Sequence, residues 1–229
     1  MEINAQYNVA KAGSLPVRIA GHQRQKMYRE FLDLGVGTSD TILDIGVTSD
    51  QSYAHSNYLE AWYPSPEKIT AIGLDVNAAF LTKTYPGLQF VVANGCMLPF
   101  GDNAFDYVHA SAVMEHVGSR SRQAALMSEA HRVARKAVFL TTPNRWFPIE
   151  FHTVLPLVHW LPPTLFRAFL AAIGMKFFAS EDNLHLLAAK ELRAMARSAG
   201  FTDSVEVRGV RLCGLISNLL FILRKQDRA

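Results

Sequence analysis

Five short apolar runs limit what this chain can fold into: TILDIG (41–46), KITAIGLDV (68–76), LQFVVAN (88–94), AFDYVHAS (104–111) and KAVFLTT (136–142). Each is nearly continuous rather than alternating, the pattern of strands covered on both faces. Segments of helical spacing lie between and beside them. Within 21–34, Met27, Phe31 and Leu34 fall at i, i+4 and i+7, and Gly35 and Gly37 end the helix. SNYLEAWY (56–63) makes a short helix stopped by Pro64 and Pro66, and a helix around 77–84 is stopped by Pro86-Gly87. SRQAALMSEAHRVA (121–134) turns Ala125, Leu126 or Met127, Ala130 and Val133 inward. LHLLAAKELRAMARSAGF (184–201) is amphipathic and ends at Gly200. Two last runs, SVEVRGV and LISNLLFILRK, meet at a tight turn and are expected to close the sheet as an antiparallel pair. The expectation is an α/β fold, with a seven-stranded, mostly parallel sheet and helices on both faces.

The 229 residues suit one domain spanning 1–229, with an N-terminal arm and helix over 1–37 and residues 1–20 read as arm or loop. Residues 143–183 break the strand–helix rhythm and are rich in Pro, Trp and Phe, which reads as an inserted cap after the fifth strand. With 49% hydrophobic residues the chain can bury a sizeable core, which excludes a disordered protein. A net charge of +3 with no long basic block argues against nucleic acid. Arg120, Arg122, Arg132, Arg135 and Lys136 sit at helical spacings and read as a solvated face. Cys96 and Cys213 have no disulfide or metal-ligand spacing and lie in apolar company, so both read as buried thiols. There is no apolar core of a signal peptide and no apolar run of about 18 residues. The expected location is the cytoplasm, with attachment at the inner membrane surface left open.

In a parallel sheet of this kind, ligands bind at the carboxyl ends of the strands, where strand order reverses. The residues there are Asp44 to Asp50, Asp75, Asn94-Gly95 and Ser111 to His116. Gly46 lets backbone N–H groups approach a ligand. Asp75 can accept two hydrogen bonds from a ribose diol. Asn94 both donates and accepts, as an adenine edge requires. The run DIGVTSD lacks the G-x-G-x-x-G of a dinucleotide site, which argues against a dehydrogenase.

The set LDIG…GLD…ANGCMLPFGDNAFDYVHASAVMEHV…FLTTPNRW…ELRAMARSAGF resembles the class I S-adenosylmethionine-dependent methyltransferases. It is most similar to the small-molecule group with a GDAxxLPF loop and an FDxVxxxxxxEHV strand. The likeness covers about residues 38–142 and 185–224. It implies a Rossmann-like sheet, S-adenosylmethionine as cofactor and S-adenosylhomocysteine as product. It places Asn94 on the adenine-contacting acid, Gly95 on the following alanine, Asp75 on the ribose-binding acid and Gly46 on the first glycine of DxGxGxG. Asp44, Thr48, Asp50 and Ser111 complete the expected cofactor set. Thr48 and Asp50 replace the second and third glycines. Asp44 and Asp75 are 31 positions apart (75 − 44), where about twenty is usual. The lengthened loop therefore either binds the methionine end through Thr48, Ser49 and Asp50 or closes the site.

Methyl transfer needs positioning and, at oxygen, a base. His116 is the first candidate, with Glu115 beside it. Ubiquinone-pathway O-methyltransferases look similar here and bind a metal through Glu-x-x-Glu-His. Ala112 stands where the first of those acids would be, so no metal is expected; the alternative is that Glu150, His152 and His159 supply other ligands, or they line the substrate pocket. Asn144, Arg145 and His152 are the candidate substrate residues, with Arg145 either clamping an acidic group or bracing a loop. The apolar cap suggests a small, hydrophobic or lipid-linked acceptor methylated at oxygen, and peripheral membrane contact through the cap. Two rival readings remain: a methyltransferase-fold binding protein without activity, and a peripheral lipid-binding protein.

Overall fold

A computed structural model describes residues 9–11, 13–51, 53, 55–201 and 204–225. Of the arm or loop expected over residues 1–20, residues 1–8 and 12 lie outside them. The seven strands are β1 (Ile42–Ile45), β2 (Ile69–Gly73), β3 (Gln89–Val92), β4 (Phe105–Ser111), β5 (Ala134–Pro143), β6 (Ser204–Leu212) and β7 (Leu215–Arg224). They form one sheet in the order β3-β2-β1-β4-β5-β7-β6. The first five pair in parallel, while β7 runs antiparallel to both β5 and β6. A two-residue turn joins β6 to β7, with Cys213 at φ 49° and Gly214 at φ 82°, the conformation that matches strand twist in a tight hairpin. Cys213 is thereby exposed and Cys96 half-buried, contrary to the expectation of two buried thiols.

The helices are α1 (Leu15–Leu32), α2 (Tyr58–Trp62), α3 (Leu81–Thr84), α4 (Arg120–Val133), α5 (Pro163–Ala172), α6 (Lys176–Ala179) and α7 (Ala189–Ser198). α1 starts six residues earlier than the sequence suggested (21 − 15). Pro16 sits in its first turn, where a missing N–H costs nothing. Helix α7 is shorter than expected, because Leu187 leaves the helical path to bridge Asn144 beside β5.

Two apolar clusters cover the two sheet faces, and the strands alternate between them. On β7, Leu219, Phe221 and Leu223 face α4 and α7, while Leu220 and Ile222 face α1 and α2. On β1, Leu43 and Ile45 take the first face and Ile42 the second. Each such fully buried side chain contributes about 1.5–3 kcal/mol. In α4 the inward residues are Gln123, Leu126, Met127, Ala130 and Val133, with Ala125 only half-buried.

Of the basic residues read as a solvated face, Arg122, Arg135 and Lys136 are exposed and Arg120 and Arg132 half-buried, and four of the five make ion pairs among the described residues. Arg120 pairs with Glu191 of α7, Arg132 with Glu129 and Asp102, Arg135 with Asp106, and Lys136 with Asp40. Between β5 and α7, Phe166, Leu170, Phe178, Leu184 and Leu186 gather a third, smaller apolar cluster. No helix among the described residues is long and apolar enough to cross a membrane.

Candidate functional site

Strand order reverses between β1 and β4, so the connections from these two strands leave in opposite directions and open a crevice at their carboxyl ends. A cavity of about 360 Å³ lies there. This falls within the roughly 300–1,000 Å³ of small-molecule sites. Gly46, Asp75, Asn94, Gly95 and Ser111 line it from four successive strands, as the sequence suggested.

The glycines make room for a close ligand. Gly46 has φ +91°, and a Cβ there would collide with the Val113 side chain. A Cβ at Gly73 would stand 2.7 Å from the Val47 carbonyl, and one at Gly95 2.8 Å from Ile45. These backbones are held bare for packing as well as for access.

Of the lengthened loop after β1, Val47, Thr48, Ser49 and Ser56 line the cavity wall. Asn57 clamps the loop: its Oδ1 accepts from the Thr48 N–H and its Nδ2 donates to the Thr48 carbonyl, both at 2.9 Å. The Thr48 hydroxyl accepts from the Asp50 N–H at 3.1 Å. Thr48 and Ser49 line the cavity; Asp50 does not. Ser49 Oγ donates to Asp75 Oδ2 at 2.5 Å, and Asp75 Oδ1 accepts from the Asn77 N–H at 2.9 Å. These bonds, that from Ser49 first, hold the Asp75 carboxyl below its usual range. Asn94 Oδ1 accepts from the Cys96 N–H at 2.9 Å, which fixes the turn that carries Gly95.

Helix α1 forms a wall that the sequence reading missed. Pro16, Ala20, Gln23, Arg24 and Met27 line the cavity at helical spacing. The signal was present: this stripe sits beside the Met27–Phe31–Leu34 stripe but carries Gln23 and Arg24, polar groups on an inward face. Gln23 is 2% exposed and its amide atoms have no hydrogen-bond partner.

Asp44 is not at this cavity. Strand alternation turns it to the α2 side, where it lies directly across from His109 of β4. Asp44 Oδ1 is 2.5 Å from His109 Nδ1, and His109 Nε2 is 2.8 Å from the Tyr58 hydroxyl. Burial pushes Asp44 up to about 7 and His109 down to about 4. Burial also holds the neighbouring Glu60 carboxyl well above its usual range, with the charge of Asp44 adding to it. This set braces β1, β4 and α2 behind the loop.

The opposite end of the cavity is made by β4 and the segment after β5. Ala112 takes φ 56°, a strained turn that doubles the chain back through Glu115 and His116. His116 and His152 both line the cavity, with Phe151 next to them. His116 Nε2 lies 3.0 Å from His152 Nε2. His116 Nδ1 donates to the Asn183 carbonyl at 2.7 Å, and His152 Nδ1 faces Glu150 Oε1 at 2.7 Å. Glu115 is fully buried beneath them; its Oε2 accepts from the Thr142 hydroxyl at 2.9 Å. Burial raises Glu115 to about 7 and, with the charge of His152, lowers His116 to about 3. Burial works against Glu150, but the charge and hydrogen bonds of His152 outweigh it and hold the carboxylate at about 2. Burial likewise opposes a charged His152, and Glu150 outweighs it, so the imidazole is raised.

Asn144 and Arg145 do not reach the cavity lining. Asn144 Nδ2 donates to the Ile216 carbonyl at 2.9 Å, and the Arg145 guanidinium donates to the Leu161 carbonyl at 2.9 Å while lying over the Trp146 ring. Both brace the crossing from β5, and Arg145 takes the loop-bracing role of the two expected for it.

Residues 43–141 match a family model described as a methyltransferase domain. No curated protein matches the chain in sequence. Solved structures with the same fold include a SAM-dependent methyltransferase from Methanosarcina mazei, 20% identical, with TM-score 0.55 over 85% of this chain and 96% of that one. Another is the Burkholderia thailandensis 1,6-didemethyltoxoflavin-N1-methyltransferase with its substrate and S-adenosylhomocysteine, 16% identical, TM-score 0.56, over 90% of this chain and 78% of that one. A third is Haemonchus contortus phosphoethanolamine N-methyltransferase 2 with S-adenosyl-L-methionine, 16% identical, TM-score 0.55, over 81% of this chain and 38% of that one. Residues 43–141 thus carry the match to a methyltransferase domain, and the chain has the fold of the S-adenosylmethionine-dependent methyltransferases, with a glycine-lined cavity at its strand ends.

Proposed function

We propose that the chain transfers a methyl group from S-adenosylmethionine to an oxygen of a small, hydrophobic or lipid-linked acceptor. The observation that carries this reading is one cavity running from Gly46 and Asp75 at one end to His116 and His152 at the other. The bound cofactor supplies a methyl group already activated on a sulfonium sulfur. Asp75 takes the ribose diol, a role that requires it to exchange the Ser49 hydroxyl for the sugar. Asn94 and Gly95 border the adenine. Gly46, Thr48, Ser49 and Arg24 hold the amino-acid end, where the Arg24 guanidinium offers a charge for the carboxylate. Ser111 and Thr141 border the middle of the cavity.

The acceptor oxygen lies against the two histidines. His152, held by Glu150, and His116, held by the Asn183 carbonyl, turn their Nε2 atoms toward each other, and the neutral pair takes up between them the proton the acceptor loses. Phe151 and Val117 give this end an apolar wall. The domain division follows the same reading: residues 143–183 act as a cap that brings His152 over the site.

A second feature favours a lipid-like acceptor delivered from a membrane surface. Trp146, Ile149, Leu157, Trp160, Leu161, Leu165, Phe169 and Ile173 are all exposed by 37% or more within the cap. Tryptophans at such a surface suit the membrane interface, and Arg145 and Lys176 lie in the same segment.

The test is calorimetric binding of S-adenosylhomocysteine, followed by transfer of labelled methyl from S-adenosylmethionine to hydrophobic phenols and to a lipid extract. No binding at millimolar ligand sinks the enzyme. Label only in water-soluble amines sinks the acceptor class. Flotation with anionic vesicles, compared for the full chain and its Trp160→Ser, Leu165→Ser, Phe169→Ser variant, tests the membrane surface.

A further inference from the structure

The arrangement of the two histidines implies more than a proton relay. His116 Nδ1 faces a backbone carbonyl, which can only accept, so Nδ1 carries the hydrogen and Nε2 holds a lone pair. Glu150 accepts four hydrogen bonds, from the His152 N–H, the His152 ring, the Thr153 N–H and the Thr153 hydroxyl. It is therefore a carboxylate, and His152 Nδ1 is its donor. The neutral form of His152 then also points its Nε2 lone pair at His116, 3.0 Å away. Two lone pairs at that distance repel unless a cation sits between or beside them.

A third donor atom meets them. Glu115 Oε1 is buried with no hydrogen-bond partner and lies 3.9 Å from His152 Nε2. All three ligand atoms lie within 4.8 Å of one another, the one such group of three among the described residues. With bonds of about 2.0–2.1 Å, tetrahedral ligand atoms stand about 3.3 Å apart. The observed 3.0 and 3.9 Å bracket that spacing.

We propose that Glu115 Oε1, His116 Nε2 and His152 Nε2 bind a divalent cation of the zinc class, with its remaining coordination position open to the acceptor end of the cavity. Two imidazoles and one carboxylate are a borderline donor set, suited to zinc, cobalt or iron rather than magnesium. Each ligand is fixed from behind: His116 by the Asn183 carbonyl, His152 by Glu150, and Glu115 by the Thr142 hydroxyl. Such outer contacts orient ligands and raise their basicity. The site lies at a strained turn, Ala112, whose φ of 56° swings Glu115 and His116 to meet His152. A divalent cation offsets the two buried carboxylates, where a single shared proton offsets one.

The cation site stands on these contacts alone. Its role, binding the acceptor oxygen and making it a stronger acid, rests on the methyl-transfer reading. With the cation in place, the acceptor O–H bond breaks with its proton passing to solvent, and the histidines serve as ligands rather than as the base.

The full chain, freed of metal with a chelator, is titrated with cobalt(II) and separately with zinc(II). One equivalent of cobalt(II) should bind with the visible absorption of a low-symmetry site, and zinc(II) should displace it. His116→Ala and His152→Ala should each weaken binding by about a hundredfold or more. Glu150→Gln, acting through His152, should weaken it by about 10- to 100-fold. S-adenosylhomocysteine binding, measured on the same samples, reports that each variant is folded. No cobalt uptake by the unaltered chain, or uptake unchanged in folded His152→Ala, overturns the proposal. If cobalt binds and S-adenosylhomocysteine does not, the methyl-transfer reading falls and the cation site stands. In the reverse case the cation site falls, and the histidines act as the base.

Discussion

His116 and His152 place their Nε2 atoms 3.0 Å apart although 36 positions separate them in the chain. One comes from the strained turn after β4, the other from the segment after β5, and Glu150 and Asn183 aim them at each other. A contact held from both sides in this way has its geometry fixed by the surrounding chain.

His152→Ala should therefore separate chemistry from cofactor binding. Methyl transfer is expected to fall by about 10²- to 10⁴-fold, the usual range for loss of acid–base or ligand function. S-adenosylhomocysteine affinity should stay within about threefold, since Asp75 and Gly46 lie at the other end of the cavity. Single-turnover rates and calorimetry on one preparation check both halves. A loss of affinity as large as the loss of rate would show that His152 only holds the cavity together.

Asp75→Ala should do the opposite. The carboxylate is half-exposed and already oriented by Asn77 and Ser49. Removing hydrogen bonds to a charged group costs about 1.5–3 kcal/mol, so the Kd for S-adenosylhomocysteine should rise about tenfold to a hundredfold. Ser49→Ala is expected to leave affinity equal or tighter, because its hydroxyl competes for Asp75. Weaker binding in Ser49→Ala would mean that the hydroxyl touches the cofactor.

Gly46→Ala should fail as a fold as well as a site. The residue sits at φ +91°, and the added Cβ meets Val113. The left-handed penalty and the overpacking together cost at least about 2 kcal/mol. Denaturant unfolding should show that loss, with S-adenosylhomocysteine binding abolished. A stability equal to the parent would mean the loop re-forms around the new side chain.

Asp106 sets part of the acid sensitivity. Burial alone would raise its carboxyl, but the Thr41 N–H and hydroxyl and the Arg135 guanidinium outweigh that and lower it to about 2. A depressed carboxylate favours the folded state above its unfolded value near 3.8, and that contribution is lost as pH falls through about 2. Arg135 is 56% exposed, so solvent screening limits the contribution to about 1–2 kcal/mol. Asp106→Asn should lower stability by that amount at pH 7 and by little at pH 2, read from urea midpoints at the two values.

The amino-acid sequence determined the sheet and half of the site. Short continuous apolar runs between turn residues read as strands buried on both faces, and their ends, Gly46, Asp75, Asn94 and Ser111, fell at the cavity because strand ends converge where strand order reverses. The hairpin of β6 and β7 was legible from its tight turn. Other features depended on contacts between distant segments. Asp44 left the site because a strand's side chains alternate, and the neighbouring strand offered His109 on the other face. Arg145 became a brace because a carbonyl of its own loop lay within reach. The inward stripe of α1, with Gln23 and Arg24, has helical spacing in the sequence, but it became a cavity wall only when the helix was laid across the strand ends. Glu115, His116 and His152 were each candidate site residues in the sequence, but nothing there joined His152 to the other two. Only folding brings their ligand atoms within 4.8 Å of one another, because such a constellation is a property of distances that no local pattern encodes.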